Sequence, residues 1–123
     1  MTDNEITFQI RGAIFDVYNE LGPGLLENLY EQAMIVALKM RGLKVECQKP
    51  LEVYFQGVKL PVEYRLDLLV EDRVIVELKS VQEMKSVFHL QLLTYLKIAN
   101  LHTGILVNFN TDDIRSNIIR KVR

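Results

Sequence analysis

Tyr64-Arg65-Leu66-Asp67-Leu68-Leu69-Val70 and Val74-Ile75-Val76-Glu77-Leu78-Lys79 decide how this chain folds. Both are apolar runs of strand length, and only Glu71-Asp72-Arg73 separates them, so they read as a hairpin. Residues two apart on a strand face the same side. Pairing the runs around the three-residue loop sets Asp67 opposite Glu77. The even positions, Leu66, Leu68, Val70, Val74, Val76 and Leu78, then form a continuous apolar face. The odd face carries Arg65, Asp67, Glu77 and Lys79. Charged groups in runs this apolar are costly to bury unless paired or bound to a metal. Two carboxylates and an ammonium on one patch have the composition to hold a divalent ion and a water molecule.

Working outward, the periodicity changes. Ile6, Ile10, Ala13, Ile14, Val17 and Leu21 share one helical face, and Thr2 and Glu5 have capping-box spacing at its start. Gly22-Pro23-Gly24 stops that helix. A second helix is predicted from about Leu25 to Arg41, with Leu26, Leu29, Tyr30, Ala33, Ala37 and Leu38 as its buried stripe and Gly42 as its cap. Leu43–Cys47 and Leu51–Phe55 alternate as two short strands on either side of Pro50, and Gln56–Lys59 reads as a turn. The decisive strands are predicted over Val62–Val70 and Val74–Val81. Ser80 and Glu83 again have capping-box spacing, so a third helix is predicted near Glu83–Asn100, burying Phe88, Leu92, Tyr95, Leu96 and Ala99. Gly104–Phe109 is a further strand, and Asn110–Asp113 a turn. Ile114–Val122 suits a helix or a strand equally well.

The resulting order, α-α-β-β-β-β-α-β with an open ending, describes an α/β, mixed α+β, fold with helices packed on a mixed sheet. The helix before Gly104 is long enough to cross over and make the late strand parallel to an earlier one. A chain of 123 residues without linker or repeat suits one domain, 1–123, with one core. No apolar run is long enough to span a bilayer, and the start lacks a signal peptide's basic and apolar regions. Cys47 is the only cysteine, which excludes an internal disulfide and a cysteine metal cluster and makes a reducing cytoplasm the simplest compartment. The net charge of −1 shows no overall basic excess. Arg115, Arg120, Lys121 and Arg123 crowd the C-terminus and read as a solvated tail.

Three groups could carry chemistry. Asp67 and Glu77 suit Mg2+, or Mn2+, which take one or two carboxylates and keep water and phosphate as further ligands. The Leu78 carbonyl could add a third protein ligand, and Lys79 could orient the water or stabilise charge on phosphorus. An Asp followed by Glu-x-Lys is common, however, and the solvated side of a hairpin explains it as well. Glu27 opens the second helix, where the helix dipole favours an acid anyway; it could also ligate metal, with Glu31 a weaker candidate one turn on. Gln91 and Tyr95 are four apart on the third helix and share a face. They suit either the rim of the core or contacts to Lys79 and a substrate phosphate. No glycine-rich phosphate loop, zinc-ligand spacing or nucleophile elbow is present.

At these residues the chain resembles the PD-(D/E)XK nuclease superfamily. In particular it is similar to the small GxxExxY proteins of bacteria and archaea, whose motif is matched by Gly24, Glu27 and Tyr30. The superfamily's acidic position falls on Asp67, its (D/E)XK element on Glu77-Leu78-Lys79, and the RecB-like Gln-x-x-x-Tyr element on Gln91 and Tyr95. Leu66 stands where the motif has proline. The resemblance implies a restriction-endonuclease-like α-β-β-β-α-β core with an extra helix in front. It implies Mg2+- or Mn2+-dependent phosphodiester hydrolysis of DNA or RNA, with Lys79, Glu77, Asp67, Gln91 and Tyr95 catalytic and Asp67, Glu77, Leu78 and Glu27 at the metal. The competing expectation is a noncatalytic nucleic-acid- or protein-binding regulatory module on the same fold, which the near-neutral charge favours. Exposed sheet edges and small size leave room for a homodimer.

Overall fold

Helix α1 spans Asp3–Leu21 in the computed structural model, which describes residues 1–123. The capping box forms: Glu5 N–H donates to Thr2 Oγ1 and Thr2 N–H to Glu5 Oε1, each at 3.1 Å. Such a cap contributes about 1 kcal/mol. The helix ends at Gly22, whose φ of 68° favours glycine. Helix α2 is Glu27–Met40, shorter than predicted at its start. Its buried residues are Tyr30, Met34 and Leu38. Leu26 and Leu29 are exposed: the stripe follows the i, i+4 row through Tyr30, Leu26 precedes the first helical turn as its N-cap, and Leu29 starts the neighbouring row.

Seven strands follow: β1 Val45–Leu51, β2 Tyr54–Phe55, β3 Val58–Lys59, β4 Tyr64–Val70, β5 Val74–Lys79, β6 Thr103–Asn108 and β7 Ile118–Val122. Helix α3, Ser86–Ala99, crosses between β5 and β6. The main sheet has the order β1-β4-β5-β6-β7. Only β5 and β6 are parallel, and the intervening helix is the crossover that such a pair needs. The first surprise is β1, one strand running through Pro50 where two were expected. An edge strand tolerates proline because one row of its N–H groups has no ladder partner. Residues 54–59 form a separate hairpin, turning at Gln56 and Gly57, both at positive φ.

The ending resolves as both alternatives in succession, a 3-10 turn over Ile114–Asn117 and then β7. The basic C-terminal cluster is therefore not a tail: Arg115 sits in the 3-10 turn and Arg120 and Lys121 on the edge strand, still facing solvent for the most part. Arg123 donates to Leu101 O and Asn100 Oδ1. Helix α3 starts three residues later than predicted and lacks the Ser80–Glu83 box. Ser80 is used elsewhere: its Oγ donates to Leu25 O across the fold.

The sheet is covered on both sides. Ile6, Ile10, Ile14, Tyr30, Met34 and Leu38 of α1 and α2 pack on Leu68, Val70, Val74, Val76 and Leu78. Leu92, Tyr95 and Leu96 of α3 pack on Leu69, Ile75 and Leu106. Each fully buried aliphatic or aromatic side chain contributes about 1.5–3 kcal/mol, so this double burial dominates the stability. It also corrects the picture of a solvated odd face, since Ile75 and Glu77 lie beneath α3. The even face is not continuous either: Leu66 belongs to the α3 side and Leu68 to the other. The strand changes its facing at Asp67.

Candidate active site

The β4–β5 register is Leu68 with Val76, Leu69 with Ile75 and Val70 with Val74. The three-residue loop places Glu71 and Asp72 at positive φ, and Arg73 N–H donates to Val70 O at 3.0 Å. Extending that register by one residue sets Asp67 opposite Glu77, as expected. Here the two side chains replace the ladder. Leu78 N–H donates to Asp67 Oδ2 at 2.9 Å, and Asp67 N–H to Glu77 Oε1 at 3.3 Å. Both carboxylates are thereby drawn between the strands.

Glu77 is only 6% exposed. Burial first, and then the charge of Asp67, push its carboxyl up to about 9. Two carboxyl groups side by side, one of them buried, are unfavourable unless a proton or a cation lies between them. Lys79 is the positive charge that acts on Glu77, but its effect is the smallest of those felt there. Its Nζ sits over the Phe88 ring, 4.6 Å from the centroid, so the ammonium is held toward α3.

The segment before α2 docks at the end of β5. Tyr30 stacks on Phe109, with centroids 4.3 Å apart and planes 6° apart. Its hydroxyl donates to Gly22 O and accepts from Leu25 N–H. Gly24 turns at φ 93°, which favours glycine. Leu25 and Glu27 are thus delivered beside Ser80: Glu27 Oε2 accepts from Ser80 N–H at 3.4 Å. Glu27 bonds neither Asp67 nor Glu77. Glu31, the weaker candidate, connects to Asp67 through Gln48, a residue with no motif to mark it. A left-handed φ inside a strand is the only signal that singles out Gln48, and sequence does not display it.

Tyr95 is buried and close enough to the acids for their charge to matter. Burial first, and then Glu77, raise its pKa. Tyr64 lies against it, with centroids 5.9 Å apart. Gln91 is beside Tyr95, and both line an apolar groove of about 470 Å³ with Val53, Tyr64, Leu90 and Ile98. Neither Gln91 nor Tyr95 bonds Lys79, whose ammonium is taken by Phe88. Asn108, also unmarked in sequence, is buried; it accepts from Val81 N–H and donates to Val81 O, tying down the chain just after Lys79.

The donor set suits a hard divalent cation. No group of three His, Cys, Asp or Glu side chains converges anywhere in the chain. Two carboxylates are what Mg2+ or Mn2+ takes from a protein when water and phosphate complete the octahedron, whereas a dedicated protein cage needs more. The half-buried Asp67 and the buried Glu77 supply the negative charge.

A model of the PD-(D/E)XK nuclease superfamily matches residues 4–121. The chain belongs to this superfamily. PD-(D/E)XK nucleases act on nucleic acids and generally use divalent metal ions. The mixed five-stranded sheet with three flanking helices is consistent with the superfamily's restriction-endonuclease-like fold. No curated protein and no solved structure gives a significant match. No helix is long and apolar enough to cross a membrane.

Proposed function

We propose that this PD-(D/E)XK protein is a Mg2+- or Mn2+-dependent phosphodiesterase of the GxxExxY type, cutting DNA or RNA. The observation that carries the reading is the buried Glu77 carboxyl set against Asp67 between two strands, with Lys79 the weakest of the influences on it. Asp67 and Glu77 would hold the ion, with the Leu78 carbonyl as a further ligand; Glu27, which bonds Ser80 N–H and does not converge with the two acids, would act on it through a water. A bound divalent ion neutralises phosphate charge and activates water for in-line attack. Lys79 orients that water and stabilises the charge that develops on phosphorus. Tyr95 and Gln91, polar-tipped residues lining the groove with Thr94, position the phosphate. The GxxExxY assignment is supported by the division of labour in that motif: Gly24 turns, Tyr30 pins the loop, and Glu27 reaches the end of β5.

A second reading, a nucleic-acid- or protein-binding module without cleavage, is favoured by the net charge of −1. Manganese titration by calorimetry on wild type and Asp67→Ala separates the two. Binding that disappears in the variant, together with metal-dependent cleavage of nucleic acid by the wild type, is the expected result. Phosphodiesterase activity surviving in Asp67→Ala and Glu77→Ala would remove the site. No binding in either protein would favour the binding module.

A further inference from the structure

Five non-glycine residues have positive φ, and four of them, Gln56, Glu71, Asp72 and Asn100, sit in turns or at a helix C-cap. The fifth, Gln48, lies inside β1 at φ 52°. A left-handed residue disturbs a strand, and the β1–β4 register skips there: Cys47 pairs with Leu68 and Lys49 with Leu66. The omitted pair is Gln48 and Asp67. On β4 the same point separates Leu66, on the α3 side, from Leu68, on the other. Strain of this kind persists only where the surroundings hold it, and it clusters at functional sites.

The Gln48 side chain shows what the kink accomplishes. Its Nε2 donates to Glu31 Oε2 at 2.7 Å and reaches Asp67 Oδ1 at 3.5 Å. A primary amide has two N–H donors, one for each carboxylate. Glu31 is itself held to the same strand, since Cys47 Sγ donates to its Oε1 at 3.0 Å. The Gln48 carbonyl accepts from Arg65 Nη1 at 3.0 Å, which fixes the kink from β4. Asp67 therefore has a donor facing each oxygen, Leu78 N–H at 2.9 Å from Oδ2 and the Gln48 amide at a longer 3.5 Å from Oδ1.

We propose that Gln48 is a positioning residue, its amide holding the Asp67 carboxylate at the angle a divalent ion needs, with Glu31 of α2 anchoring the amide. The proposal rests on the metal-site reading above. Partners that orient a ligating carboxylate in this way commonly govern metal affinity by 10- to 100-fold when removed.

Glycine suits the Gln48 backbone better than glutamine does, so Gln48→Gly separates the two roles. The variant is expected to melt at or above the wild-type temperature while binding manganese about tenfold more weakly by calorimetry. In the metal-free protein, hydrogen exchange at the Leu78 amide, which depends on an ordered Asp67, is expected to accelerate while the Val76 amide stays protected. Glu31→Ala, which keeps Gln48 in place and removes its anchor together with the Cys47 contact, is expected to shift both readouts in the same direction. Wild-type manganese affinity in folded Gln48→Gly or Glu31→Ala would overturn the positioning role and leave the metal site standing. A wild type that binds no manganese would bring down both.

Discussion

The Asp67 amide donates to the Glu77 carboxylate at 3.3 Å, one position beyond the last paired residues of the β4–β5 ladder, Leu68 and Val76. Side chains take over where the backbone ladder stops, so two acids that a regular hairpin would present to one face are drawn in between its strands. The closeness of this pair has a thermodynamic signature.

Glu77 has a folded-state pKa of about 9 against 4.5 for a free side chain. The folded state therefore binds the extra proton between these values, and stability falls as pH rises. The contribution is fully present below pH 4.5 and is lost as pH climbs through about 9. Glu77→Gln removes the titration. In metal-free buffer it is expected to be more stable than wild type at pH 8 and to flatten the decline between pH 5 and 9, as read from urea unfolding. A wild-type slope in the variant would show that another group is responsible.

Metal must displace that proton. Manganese affinity is expected to rise with pH up to about 9, with about one proton released per ion near neutrality. Calorimetry in buffers of different ionisation enthalpy counts the protons directly. A pH-independent affinity would place the ion away from Glu77.

Lys79 contributes little to the charge balance at Glu77 and rests on Phe88. Its loss should spare binding and damage turnover. Lys79→Met is expected to lower kcat about 100- to 1,000-fold, the range for a charge-stabilising donor, with manganese affinity retained. Steady-state kinetics beside calorimetry checks the split. Equal loss in both would make Lys79 part of the binding site.

Gly104 sets how closely α3 approaches the sheet. A Cβ there would lie 2.8 Å from Leu92 Cδ1, and Leu92 is fully buried, so it has nowhere to move. Gly104→Ala is expected to destabilise the protein by about 1–3 kcal/mol in urea unfolding, as overpacking does. Because α3 carries Gln91 and Tyr95, turnover is expected to fall while metal binding at Asp67 and Glu77 holds.

Much of this molecule was legible locally. Helix α1, its capping box, the three-residue hairpin loop and the Asp67–Glu77 opposition all follow from short-range spacing, because a turn length and a side-chain period are properties of neighbouring residues. The Glu77-Leu78-Lys79 triplet and the Gln91–Tyr95 pair could be marked for the same reason. The stripe of α2 was misjudged because leucines at its start offer two equally apolar rows, and only docking on the sheet chooses Tyr30, Met34 and Leu38. The Ser80–Glu83 spacing named a cap that did not form, because Leu25, 55 positions away, takes the serine hydroxyl instead.

The sequence by itself determined the three helices, the pairing of β4 with β5 and the candidates for a metal site, since these depend on pattern over a few positions. Only the tertiary structure decided that both faces of the sheet are covered, that Glu77 is buried beneath α3, and that Gln48 joins Glu31 to Asp67. Burial and side-chain convergence come from segments distant in the chain, so the raised Glu77 pKa and the Gln48 donor facing Asp67 exist only once α2, β1 and α3 close around the hairpin.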